Sequence, residues 1–86
     1  MMKFRKKPIV IEAIRWIGEN YEQVKEFAGP ENSVVWGVGG KRALDINTLE
    51  GWVNVPLRYM IIRGVKGEIY PCRPDIFRLT YERVEE

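Results

Sequence analysis

The 86-residue sequence has no histidine, which removes the usual general base together with the commonest zinc ligand. Most hydrolase and metalloenzyme schemes lose their central part. Its one cysteine, Cys72, cannot close a disulfide within the chain, and no cysteine cluster offers a metal site, so a reducing cytoplasm is the expected setting. No run approaches the roughly eighteen apolar residues that a membrane-crossing helix needs. A strong excess of either charge is also missing. The 14 Lys and Arg against 12 Asp and Glu leave +2, which counts against nucleic acid as the partner. The acidic residues Glu12, Asp45, Glu50, Glu68 and Asp75 are spread over different stretches without the short spacing of a metal loop. The expectation is a chain without catalysis, cofactor or metal.

What is present reads as one globular domain over residues 1–86. Hydrophobic residues make up 45% and charged residues 30%, and glycine and proline punctuate the apolar runs. A domain this small hides a limited fraction of its surface, so a homo-oligomer is expected. Lys3, Arg5, Lys6 and Lys7 cluster at one end, while Glu82, Glu85 and Glu86 gather at the other. Either the two ends attract one another, or the basic arm contacts phosphates. The opening MMKFRKKPIVIEAIRWI has the basic head and apolar run of a signal peptide, but Glu12 and Arg15 break the run early and no small-residue cleavage site follows. A strand over Ile9–Ile17 is the better reading, entered through Pro8.

Further along, Asn20 with Gln23 forms a capping-box-like start, and Tyr21, Val24, Phe27 and Ala28 give one apolar helix face that Gly29-Pro30 ends. Ser33–Val38 and Lys41–Ile46 flank Gly39-Gly40 as a hairpin. Trp52–Val55 reads as a short strand closed by Pro56. Arg58–Arg63 and Glu68–Cys72 form a second hairpin about Gly64-Val65-Lys66-Gly67. Asp75 is placed to cap a short helix through Leu79 or beyond, before an extended tail. This order predicts an α+β fold: a curved, mostly antiparallel sheet of about five or six strands, one main helix and a short C-terminal helix.

Two motifs with chemical overtones have plainer readings. Arg73 beside Cys72 is the kind of neighbour that lowers a thiol pKa, but without a histidine base a small buried core thiol fits better. Gly37-Val38-Gly39-Gly40-Lys41 lacks the spacing, the Ser or Thr and the following helix of a phosphate-binding loop. What recurs is the pairing of aromatic and cationic residues: Arg15 with Trp16, Trp52 near Arg58 and Tyr59, Arg63 with Lys66, and Tyr70 near Arg73. Guanidinium binds phosphate bidentately and an aromatic face accepts a base, so Arg15, Trp16, Trp52, Arg63, Lys66, Tyr70 and Arg73 are the candidate ligand contacts. Against this stands the ordinary role of such residues, tryptophans as core and strand arginines as a solvated face.

The segments FRKKPIVIEAIRWIG, LDINTLEG and IIRGVKGEIYPCRPDIFRLTYERVEE together resemble a family of small proteins of tailed bacteriophages and prophages, with GVKGE followed by YPCRPDIF as the most specific part. Members commonly carry Pro-Gly-Asp-Trp or Pro-Gly-Asp-Tyr where this chain has Pro56, Leu57, Arg58 and Tyr59. The resemblance implies a phage setting and the host bacterial cytoplasm, and supplies no catalytic residues. In that setting the leading expectation is an anti-defence binder that sequesters a phosphorylated nucleotide signal, such as a cyclic oligonucleotide or an ADP-ribose derivative, between protomers. The alternative is a protein-interaction module, inhibiting a host defence protein or serving as a minor structural component, through its sheet edge or exposed tryptophans.

Overall fold

The computed structural model describes residues 1–38 and 41–84, and in it six strands and two helices follow one another as β1 (Glu12–Arg15), α1 (Tyr21–Ala28), β2 (Ser33–Val38), β3 (Lys41–Thr48), β4 (Gly51–Val55), β5 (Met60–Arg63), β6 (Ile69–Cys72) and α2 (Pro74–Thr80). The fold is α+β and all its strand pairs are antiparallel, as predicted. The strands lie in two three-stranded sheets, β1-β5-β6 and β2-β3-β4, rather than in one curved sheet. The division falls at Pro56, which has no N–H to continue β4. A tight turn follows, closed by the Tyr59 N–H on the Pro56 carbonyl at 3.1 Å, and it hands the chain to the other sheet. Arg58 in this turn is the one non-glycine residue with positive φ among those described, at 74°, a conformation that β-carbon sterics disfavour. Its amide donates to the Trp16 carbonyl at 2.7 Å and the Trp16 amide to the Tyr59 carbonyl at 3.0 Å, which fixes the turn to the end of β1.

β1 is shorter than the apolar run that predicts it. Glu12 pairs with Arg63, the last residue of β5, so Ile9 to Ile11 have no strand opposite them. Residues 1–10 are exposed and in no regular element. Helix α1 has the predicted span, but Asn20 does not cap it with its side chain. That amide instead accepts from the Ile17 N–H at 3.0 Å and donates to the Arg15 carbonyl at 2.7 Å, closing the loop between β1 and α1. Gly29, at φ 93°, then ends the helix and Pro30 opens a single 3-10 turn. The predicted hairpin of β2 and β3 forms, with β3 running two residues past Ile46 to Thr48, while the predicted Gly39-Gly40 turn and the acidic pair at 85–86 lie outside the described residues. Helix α2 starts two residues earlier than predicted, with Arg73 rather than Asp75 at the cap position, Pro74 at its first position and no side-chain cap. Asp75 sits inside the first turn, paired with Arg73 at 2.8 Å.

The core lies between the two sheets and α1. Trp16, Val24, Leu44, Ile46, Val55, Ile61 and Ile69 form it, with Tyr21, Phe27, Val35 and Val53 packed at its margin. β5 is the central strand of its sheet and is buried on both faces, since Ile61 and Ile62 are both within 1% of full burial. Alternation therefore reports only one of its two covered sides. On the other face Tyr70 stands opposite Ile62 and beside Tyr81, which follows α2 and stacks on Phe77 with ring centroids 5.0 Å apart.

Candidate binding face

Side-chain alternation sorts the β2-β3-β4 sheet into two faces. Ser33, Val35, Leu44, Ile46, Val53 and Val55 turn inward. Val34 and Trp36 on β2, Ala43, Asp45 and Asn47 on β3, and Trp52 and Asn54 on β4 share the outer face. Among the described residues no other element packs over its tryptophans, Trp36 being 45% and Trp52 52% exposed, with Val34 exposed beside them. Asp45 ties the face together: its carboxylate accepts from the Trp36 indole N–H at 3.1 Å and from the Asn54 amide at 3.2 Å. The Asn54 amide also donates to the Leu44 carbonyl at 3.1 Å. The Trp36 ring is thus held by a hydrogen bond from an adjacent strand instead of turning freely. Strand and residue spacings place the α-carbons of the two tryptophans about 16 Å apart on opposite corners, with one carboxylate between them.

The predicted ligand contacts do not converge here. Trp52 is on the face. Trp16 is 1% exposed and belongs to the core, so it has no surface to offer a ligand. Arg63 is committed within the domain: it hydrogen-bonds the Phe27 carbonyl, pairs with Glu12 at 2.8 Å and lies over the Phe27 ring at 4.3 Å. Arg73 is held by Asp75, and Lys66 lies in the turn between β5 and β6. Arg15 and Tyr70 occupy the far face of the β1-β5-β6 sheet. Trp36, Val34, Asp45 and Asn54 were not among the predicted contacts. The signal for them was present in the register of the hairpin, which carries Trp36 over Ala43 and hence onto the same side as Asp45.

Neighbours in sequence mislead in a second way at Cys72. The thiol is half-buried on the Tyr70 face rather than in the core. Burial, then the Asp75 carboxylate, push its pKa up, while Arg73 turns its guanidinium to that same carboxylate. Tyr70 next to it is raised from 10.0 to about 12, first by burial and then by Tyr81, Glu68 and Cys72. The folded chain therefore keeps this phenol's proton to higher pH than the unfolded chain does. Its contribution to stability is whole below pH 10 and is lost as pH rises through about 12. In an ultraviolet phenolate titration of the folded protein, Tyr70→Phe should remove a component with its midpoint near 12. Loss of a component near 10 would contradict the placement of Tyr70.

Among the described residues no helix is long and apolar enough to cross a membrane, and no group of three Cys, Asp or Glu side chains comes within reach of one metal ion. No protein-family model, no curated protein and no solved structure matches this chain.

Proposed function

We propose that the chain is a protein-interaction module that takes its partner on the outer face of the β2-β3-β4 sheet. The observation that carries this is the exposure of Trp36 and Trp52 on one face whose centre, Asp45, is already braced by hydrogen bonds. Half-exposed tryptophans on a rigid sheet are the side chains that most often dominate protein interfaces, because they bury large area with little loss of conformational freedom. Asp45 sets the chemistry of the other side. Its two oxygens keep acceptor capacity, and it is the one charged group among the described side chains of this face. The partner is a protein surface that offers aliphatic or aromatic side chains to the indoles and an arginine or lysine to the carboxylate. In the phage setting that the resemblance implies, it is a host protein, bound and not chemically altered.

A phosphorylated nucleotide fits this face less well, since its phosphates would approach Asp45. The cations that motivated that reading are dispersed over the turn, the far face and internal ion pairs. Native mass spectrometry of protein purified from a bacterial host separates the two. A stoichiometric protein partner free of nucleotide is expected, and Trp36→Ala and Trp52→Ala should each weaken its binding by about thirtyfold, equivalent to about 2 kcal/mol. A bound small phosphorylated mass, or a partner whose affinity survives both substitutions, would overturn the assignment.

A further inference from the structure

The arm formed by residues 1–11 is the part of the molecule with the least cover and the most exposed apolar surface. Met2, Phe4, Ile9 and Val10 are exposed, Phe4 at 87%, and Lys3, Arg5 and Lys7 make no ion pair among the described residues. Among the described residues its one side-chain tie to the body is Lys6, which donates to the Tyr81 hydroxyl at 3.3 Å and stands over that ring. The radius of gyration is 14.2 Å and the dimensions are 50 × 27 × 24 Å. A compact chain of this length has a radius of about 12 Å, so the excess fits an arm standing off the body.

A complementary surface lies elsewhere on the same chain. A groove of about 520 Å³ opens between the β3–β4 turn and β6, walled by Leu49, Val53, Ile69 and Pro71, with Glu50 and Glu68 among its lining. Neither carboxylate makes an ion pair among the described residues. Period-two spacing puts Met2 and Phe4 on one side of an extended arm and Lys3 and Arg5 on the other, with stems long enough to fold back towards a rim. The groove takes side chains better than it takes an added strand. The Gly64 N–H bonds the Glu68 carbonyl at 2.8 Å, so by antiparallel alternation Pro71 turns its nitrogen to the open edge of β6, where it has no hydrogen to give.

We propose that this groove receives the arm of a second copy, Phe4 entering between Val53 and Ile69 while Lys3 and Arg5 meet Glu50 and Glu68. The exchange is reciprocal, giving a two-fold dimer that leaves the tryptophan face free. Charge complementarity, the apolar content of both surfaces and the absence of cover for Phe4 in its own chain all favour a second copy as the occupant.

Sedimentation velocity on the full chain tests it. The intact protein at about 100 µM should sediment as a species of twice 10.1 kDa. Phe4→Ala, which alters no residue of the core, should raise the dissociation constant at least about tenfold. The paired variants Lys3→Glu/Arg5→Glu and Glu50→Lys/Glu68→Lys should each be monomeric alone and form a heterodimer when mixed, because every arm then faces a groove of opposite sign. A monomeric intact chain, an unchanged dimer in Phe4→Ala, or a mixture that stays monomeric would overturn the proposal. The first of these is also what an arm folding into its own groove would give. Should Glu50→Lys/Glu68→Lys fail to fold, the two arm variants still decide.

Discussion

Trp16→Ala should remove a large part of the chain's stability. The side chain is 1% exposed and belongs to the core cluster with Val24, Leu44, Ile46, Val55, Ile61 and Ile69, which joins both sheets and α1. Removing a buried indole typically destabilises by about 3–5 kcal/mol, transfer and cavity together. The whole stability of a domain of this size is about 4–13 kcal/mol, so the loss is of the same order as the total. The surrounding residues have little freedom to collapse, because Trp16 is also held through its backbone to Tyr59 and Arg58. Trp52→Ala supplies the contrast. It removes an indole of the same size from the open face, and its effect on stability should stay within about 0.5 kcal/mol. Thermal denaturation followed by circular dichroism reads both. A Trp16→Ala protein melting within a few degrees of the parent would mean that the core is organised about some other residue.

These two tryptophans show what was legible in the chain and what was not. Both stand beside cations or aromatics in sequence, and pairing along the sequence assigned both to one ligand site. The turn at Pro56–Tyr59 decides otherwise, since it sends β4 and β5 into different sheets and thereby separates Trp52 from the candidates Arg63 and Tyr70 on β5 and β6. Local rules were sufficient where both partners lie close in sequence. Gly29-Pro30 ends α1, Gly64 to Gly67 turns β5 into β6, and β2 and β3 pair as a hairpin of neighbouring strands. They failed where the deciding partner is distant. Ile9 to Ile11 have the composition of a strand, but Arg63 is the last residue opposite β1, fifty-one positions from Glu12. The open face went unread for a similar reason. Trp36 and Asp45 are nine residues apart, and only the hairpin register brings the indole to the carboxylate. Arg63, too, reads as a solvated strand residue until α1 is placed against it.

That placement makes Arg63 the second residue whose loss should be felt most. Its guanidinium reaches the Phe27 carbonyl in the last turn of α1, where carbonyls lack intrahelical partners and the helix dipole favours a cation. It also covers the Phe27 ring at 4.3 Å and pairs with Glu12 at 2.8 Å. These contacts differ in value. Glu12 is largely exposed, so its ion pair should contribute under about 1 kcal/mol. The charge-assisted bond to the carbonyl and the stacking on Phe27 carry more, about 2 kcal/mol together. Arg63→Ala should therefore lower the urea midpoint by the equivalent of about 2–3 kcal/mol with the slope unchanged, since the loss is in the folded state. Glu12→Ala should stay within about 0.5 kcal/mol of the parent. Arg63→Lys should recover less than half of the loss, because an ammonium cannot lie flat on the ring while donating to the carbonyl. Equal losses in Arg63→Ala and Glu12→Ala would assign the effect to the ion pair. An unchanged midpoint in Arg63→Ala would return this arginine to the surface, where contact with a ligand is the better account of it.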